Sequence, residues 1–305
     1  HPGTDTLESH RDYVKLLAAV VPRIRAADPS VKIMSTSATM DYKLENLLKA
    51  GVLEHVDALS LHPYVSWRGR GKDTVEFWYG LMQRMDRTIR KYNRGKPFPV
   101  YITEIGWPAA ITANGFTEET QAVYAAQLLC SVRTLPFVKG LLWYDFQDDH
   151  VRPGEAEANF GLIRADATPK PAYYVFADLS ELVRDGEFVR RIETGDPKVW
   201  ILHYRLNGDD VYAMWNYHPD RNTQIVLRNE AETRAPVSVR HAGRPAVTME
   251  WGRRDWLRQK PRQADELAFT LRDMPLLLRG DLSRVRLVRI ETVPFPRELP
   301  INKQP

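Results

Sequence analysis

Apolar residues over positions 1–185 alternate between two spacings. From Asp12 to Ala27 they fall at Tyr13, Leu16, Leu17, Val20, Val21 and Ile24, the spacing of one helix face. Val31-Lys32-Ile33-Met34 then reads as a short strand and Leu44 to Leu53 as a helix. Val56 to Leu61 reads as a second strand. A helix over Thr74 to Tyr92 carries Phe77, Leu81, Met82, Met85 and Ile89. Phe98 to Ile102 is a third strand, and Thr117 to Thr134 is a helix opened by a threonine with Glu118 and Glu119 in its first turn. Val138 to Phe146 is the fourth strand, and Pro171 to Val183 the closing helix, with proline at its start. Strands and helices alternating at this pace predict parallel βα units. The strands are continuous apolar runs, as expected when both faces are covered. An open doubly wound sheet and a barrel both accommodate this count, and periodicity does not choose between them.

From about Gly186 the pattern changes to short strands separated by turns. Lys198 to Tyr204, Asp210 to Asn216, Thr223 to Leu227, Val237 to Val239, Ala246 to Met249, Glu266 to Leu271 and Arg284 to Val288 all read as strands, with Asn207-Gly208-Asp209 as a turn. Residues 186–305 are therefore expected to form a β-sandwich-like accessory domain, ending in a proline-rich tail from Pro294. A linker of only about a dozen residues suits a module that braces its neighbour rather than one that binds glycan. Arg253, Arg254, Arg258, Arg262, Arg272, Arg279, Arg284, Arg286 and Arg289 are dispersed among acids, which reads as a solvated sheet face rather than a nucleic-acid surface.

The length of 305 residues suits two domains. The only cysteine, Cys130, lies in an apolar run and reads as a buried small hydrophobe, so an internal disulfide is excluded. No run of about 18 apolar residues occurs, so no membrane span is expected. The first residues, His1-Pro2-Gly3-Thr4-Asp5, carry no charged-then-apolar leader and leave localisation open.

Reactive residues of parallel α/β folds gather at the C-terminal ends of strands. Here those ends read Ser35-Thr36-Ser37-Ala38, His62-Pro63-Tyr64, Thr103-Glu104-Ile105-Gly106-Trp107-Pro108 and Trp143-Tyr144-Asp145-Phe146-Gln147-Asp148-Asp149. Carboxylates, an imidazole, two tryptophans and two tyrosines thus fall on one rim. Aromatic rings stack on the apolar faces of sugars while carboxylates and amides bind hydroxyls, so this is the composition of a sugar site. No tight spacing of His62, Asp145 and Asp148 marks a metal, and no phosphate loop or serine elbow occurs. No metal and no cofactor are expected.

These phrases resemble clan A glycoside hydrolases. The run from Tyr101 to Pro108 resembles the seventh strand of that clan, whose terminal glutamate is the nucleophile. His62-Pro63-Tyr64 resembles the sixth strand, and Trp143 the eighth-strand tryptophan that floors the sugar subsite. The stretch from Tyr13-Val14-Lys15-Leu16-Leu17 to Ala26-Ala27-Asp28-Pro29 resembles the helix after strand four. From Tyr13 to Val183 the chain is similar to family 39 and to related bacterial exopolysaccharide hydrolases. The resemblance implies the C-terminal half of a (β/α)8 TIM barrel, strands five to eight, over residues 1–185. It implies a retaining hydrolase of O-glycosyl bonds in a poly- or oligosaccharide. Glu104 would be the nucleophile, with His62, Tyr64, Trp107, Trp143, Asp145 and Gln147 binding substrate. A polysaccharide substrate tilts localisation toward a secreted or periplasmic protein.

The same resemblance exposes a gap. The clan's acid/base is a glutamate in an Asn-Glu pair at the end of strand four. No such pair precedes Tyr13, and the chain's Asn229-Glu230 lies in the β region. Glu8, the only glutamate before Tyr13, reads as a helix-start residue. Strands one to four and the acid/base are thus expected to be missing from this chain, and to come from a separate N-terminal half as its partner. Retaining cleavage needs two carboxyl groups about 5–5.5 Å apart, so the chain alone is expected to be a poor catalyst. Two other readings remain: a non-catalytic carbohydrate-binding protein or inactive barrel fragment, and an open-sheet enzyme unrelated to sugars. The last requires Glu104 and Trp143 to lie apart.

Overall fold

The computed structural model describes residues 6–68, 71–72, 74–112, 115–251 and 265–294. Arg253, Arg254, Arg258 and Arg262, the tail beyond Pro294 and the first five residues lie outside the described residues. The chain divides into two compact units, His1–Tyr124 with Thr134–Lys170, and Ala125–Arg133 with Pro171–Pro305.

The first unit opens with helix α1 (Leu7–Ala27), capped by the Thr6 hydroxyl, which accepts from the Ser9 amide at 3.1 Å. Glu8 sits exposed in its first turn, where a carboxylate complements the helix dipole. His10, Val14 and Val21 are buried, whereas Leu16, Val20 and Ile24 form an exposed apolar stripe at four-residue intervals. The spacing thus marks the helix correctly but not which of its apolar residues are covered. Strand β1 (Met34–Ala38) starts three residues later than the apolar run suggests. Asp57 ties down Ile33 by both ends: its carboxylate accepts from the Ile33 amide at 2.9 Å and its amide donates to the Ile33 carbonyl at 2.8 Å. Helix α2 (Asp41–Lys49) ends before Gly51, whose φ of +90° breaks the helix, and a 3-10 turn at Val52–Glu54 follows.

Strand β2 (Ala58–Leu61) is wholly buried. Helix α3 (Val75–Tyr92) is capped by Thr74 and buries Trp78, Leu81, Met82, Met85 and Ile89. Strand β3 (Val100–Ile105) runs farther than its apolar core and carries Glu104 inside it. Helix α4 (Glu118–Val132) follows, with the Thr117 hydroxyl accepting from the Thr120 amide. Strand β4 (Val138–Trp143) stops before Tyr144, and the Tyr144–Asp145 peptide bond is cis. The four strands pair in sequence order, all parallel, with β1 and β4 at the edges.

In the second unit helix α5 (Pro171–Asp185) precedes, among the described residues, nine strands: β5 (Glu187–Arg191), β6 (Val199–Leu206), β7 (Asp209–Asn216), β8 (Arg221–Asn229), β9 (Val237–His241), β10 (Val247–Met249), β11 (Glu266–Leu271), β12 (Leu276–Gly280) and β13 (Val285–Pro294). They form a six-stranded antiparallel sheet, β10-β9-β12-β7-β6-β5, and a three-stranded one, β11-β8-β13. Sequence periodicity misses β5, which is half charged, and β12, whose Leu276-Leu277-Leu278 run is short. The β6–β7 hairpin turns on Asn207 and Gly208 at φ +52° and +88°, the left-handed pair that a two-residue hairpin loop demands. Val199, Ile201, Met214, Ile225, Leu227, Phe269 and Leu278 belong to one buried cluster drawn from both sheets. Cys130 is fully buried, which pushes its thiol well above the ordinary range.

Candidate active site

Glu104 lies one residue before the end of β3, and its neighbour Ile105 pairs across to Trp143 at the end of β4. Glu104 and Trp143 therefore share one rim. His62 follows directly on β2, its amide held by the Ala38 carbonyl at 3.0 Å. Tyr64 is two residues on, its amide donating to the His62 carbonyl at 2.8 Å. Both side chains converge on a single carboxylate oxygen: His62 Nδ1 lies 3.2 Å and the Tyr64 hydroxyl 3.3 Å from Glu104 Oε2. The Glu104 side chain keeps 40% of its surface exposed, so a ligand can reach it.

The protonation pattern follows from these partners. Burial pushes His62 below the ordinary imidazole range, and the nearby Glu104 charge only partly opposes that. In a neutral His62 the proton belongs on Nδ1, which faces the Glu104 carboxylate at 3.2 Å. Its Nε2 then accepts from the Thr103 hydroxyl at 2.9 Å. Thr103, its one proton spent, accepts from the Ser60 hydroxyl at 2.6 Å. The chain of donors thus runs from Ser60 through Thr103 to His62, whose Nδ1 faces Glu104. Burial and the Glu104 charge raise the Tyr64 phenol far above its usual range, so it stays protonated and also donates. Tyr64 donates its hydrogen bond to Oε2, and His62 Nδ1 approaches the same oxygen. That arrangement orients the carboxylate and leaves Oε1 for a ligand.

Aromatic rings cluster on the same strand ends and the loops that follow them. Trp143 is half-buried, and its indole N–H donates to the Phe160 carbonyl at 3.1 Å. Trp107 is fully buried, its ring centre 6.1 Å from that of Trp143 and 5.4 Å from Tyr124, and its carbonyl accepts from Gln121 at 2.8 Å. Asp145 is half-buried, which raises its carboxyl, and it accepts from the Gln147 amide at 2.7 Å. The Gln147 side chain donates to the Ala165 carbonyl at 3.1 Å. These two residues bond to each other and to their own loop rather than to Glu104. Sequence reasoning missed Trp67 and Phe160. The Phe160 ring meets Tyr64, Trp67 and Tyr144 edge-on, at 6.0, 5.7 and 5.4 Å between centres. Trp67, three residues past Tyr64 in a strand-end loop, carries a signal that the strand-end search could have extended to.

Asn229-Glu230, the Asn-Glu pair of the chain, ends β8 in the second unit, where Glu230 faces Arg286 at 3.0 Å. Among the described residues no cluster of three or more His, Cys, Asp or Glu is arranged to hold a metal ion. A cleft of about 610 Å³ between the loops after β3 and β4 is lined by Glu118, Asp148, Arg164 and Lys170 and does not include Glu104.

No family model and no curated protein matches the chain. Solved structures do. The fold is similar to that of a family 39 glycoside hydrolase. That protein, from the gut symbiont Bacteroides cellulosilyticus WH2, aligns with a TM-score of 0.65 at 23% identity, covering 88% of this chain and 55% of its own. BuGH86, solved with neoagarooctaose, gives a TM-score of 0.56 at 13% identity over 92% of this chain and 49% of its own. A glucosidase from Croceicoccus marinus gives 0.52 at 11% identity over 90% and 64%. The resemblance to family 39 expected from the motifs is met, at the level of fold. The chain spans 49–64% of the length of these three structures.

Close approach between the strand ends rests on Gly106. A β-carbon there would lie 2.1 Å from the Tyr144 carbonyl oxygen and 2.9 Å from Phe160 Cδ1. The first of these is backbone and cannot swing aside. Gly106→Ala is expected to cost about 1–3 kcal/mol or more, as overpacking does, and to loosen Trp143. Urea midpoints check this; an unchanged midpoint would show that the rim does not need the contact.

Proposed function

We propose that this chain carries the nucleophile half of a retaining glycoside hydrolase site, with Glu104 as the nucleophile and a poly- or oligosaccharide as substrate. The observation that carries the reading is the convergence on Glu104 Oε2 of the Tyr64 hydroxyl, which donates to it, and of His62 Nδ1 at 3.2 Å, on a rim walled by aromatic rings. An accessible carboxylate oriented by a phenol and a nearby imidazole suits attack on an anomeric carbon. His62 and Tyr64 orient it, and Trp143 offers a face to the sugar. Trp107 backs Trp143 from below, while Asp145 and Gln147 stand nearest to the sugar hydroxyls.

The four parallel strands are read as strands five to eight of a barrel, and residues 186–305 as a sandwich-like module. Three features support an N-terminal half as partner. Strands β1 and β4 each have a neighbour on one side only among the described residues. The stripe Leu16, Val20, Ile24 is uncovered. The chain spans 55% of the family 39 structure. Open sheet edges and apolar stripes favour association. The second carboxyl group, acting as acid and base, would come from that half.

The test is covalent labelling that needs no acid. In a 2-deoxy-2-fluoroglycosyl fluoride the leaving group departs as fluoride. The Glu104 carboxylate forms an ester bond to the anomeric carbon as the carbon–fluorine bond breaks. Incubating the chain with gluco-, galacto- and xylo-configured reagents should add one sugar mass to the peptide holding Glu104. Labelling confined to another carboxylate would sink the assignment, and no labelling by any of them would favour a binding protein.

A further inference from the structure

The aromatic wall extends beyond the rings that frame Glu104. Trp67 keeps 42% of its surface exposed, unusual for a tryptophan whose ring is packed against two others. Its centre lies 5.7 Å from that of Tyr64, whose hydroxyl touches Glu104. It also meets Phe160, itself almost fully buried, edge-on at 5.7 Å. The backbone beneath is fixed: Val65 accepts from the Arg68 amide at 2.9 Å, which makes Ser66 and Trp67 the centre of a tight turn. Arg68 donates back to the Tyr64 carbonyl at 3.4 Å, and its guanidinium lies over the Phe77 ring at 5.9 Å. A solvent-facing indole set by a turn, two ring contacts and a guanidinium loses little entropy on binding. An apolar side chain exposed for no reason would not be held so firmly.

We propose that Trp67 is a second sugar platform, holding the ring next to the one at Glu104. The site then takes an oligosaccharide of at least two linked pyranoses rather than a simple glycoside. The inference rests on the reading of Glu104 given above and extends it to the substrate class. Tyr64 is the shared wall: its hydroxyl serves one ring's carboxylate and its face adjoins the platform for the next.

The experiment is calorimetric titration of the full chain with cello-, xylo-, laminari- and agaro-oligosaccharides, run beside fluoroglycosyl fluoride labelling. Trp67→Ala is expected to weaken the oligosaccharide that binds by about tenfold, the scale of one lost aromatic stacking contact, and Trp67→Phe to restore most of it. The labelling rate, which involves a single ring, should fall far less than the affinity. Undiminished oligosaccharide affinity in Trp67→Ala overturns the platform while labelling keeps the Glu104 reading standing. A labelling rate that falls as far as the affinity also overturns it, making Trp67 a support of the whole rim. If the unaltered chain neither binds an oligosaccharide nor is labelled, both readings fall together.

Discussion

Glu104→Gln is expected to lower glycosyl transfer from activated dinitrophenyl glycosides by on the order of a thousandfold or more, the scale seen when a nucleophile is removed. Dinitrophenolate leaves without protonation, so the first step asks only for an attacking carboxylate. The second step, attack of water on the glycosyl ester, needs a base that this chain is not proposed to hold. The unaltered chain should therefore release a burst of about one dinitrophenolate per molecule and then slow. The glutamine that replaces Glu104 is nearly isosteric, and its carbonyl can still accept from Tyr64 and His62, so the fold and sugar affinity should hold. Stopped-flow absorbance reads the burst and calorimetry reads affinity. A burst of full amplitude in the variant would place the nucleophile elsewhere. Loss of sugar binding along with the burst would mean that the charge of Glu104 holds the ligand rather than attacks it.

The meeting of His62, Tyr64 and Glu104 is legible in the sequence because each follows a short apolar run, and parallel strands bring such ends to one rim. The alternation of helices and strands is legible for the same reason. What the pattern conceals is non-local. Helical spacing in α1 selects Leu16, Val20 and Ile24 as readily as Val14 and Val21, yet only the latter two are buried. Whether an apolar residue is covered depends on which element lies against it. Strand β3 is read short because Thr103 and Glu104 are polar, although both lie within the strand. Phe160 lies in the long connection from Tyr144 to Lys170, which shows no periodicity. Its importance comes from three rings that arrive from distant segments, and from a carbonyl that receives the Trp143 indole.

That connection has its own anchor, and Lys170→Met is expected to show it. Lys170 and Asp148 form an ion pair of 2.7 Å with side chains 1% and 6% exposed. The same two groups grip the backbone on either side of Phe160. Lys170 Nζ donates to the Asn159 carbonyl at 3.2 Å, and the Gly161 amide donates to Asp148 Oδ1 at 2.9 Å. Gly161 itself leaves no room for a side chain, since a β-carbon there would meet the Asp148 amide at 2.3 Å. Removing the lysine strands a buried carboxylate, which costs about 3–5 kcal/mol when one partner of a buried pair is lost. Adding Asp148→Asn should recover part of that loss, because the amide oxygen still accepts from Gly161 while no unpaired charge remains. Urea unfolding of both variants gives the numbers. A loss below about 1 kcal/mol for Lys170→Met would match an exposed pair rather than a buried one. Because the pair clamps Phe160, and Phe160 supports Tyr64, Trp67 and Tyr144, Lys170→Met should also blunt oligosaccharide binding under conditions where the variant stays folded. Full affinity in the folded variant would show that the aromatic wall is held without this clamp.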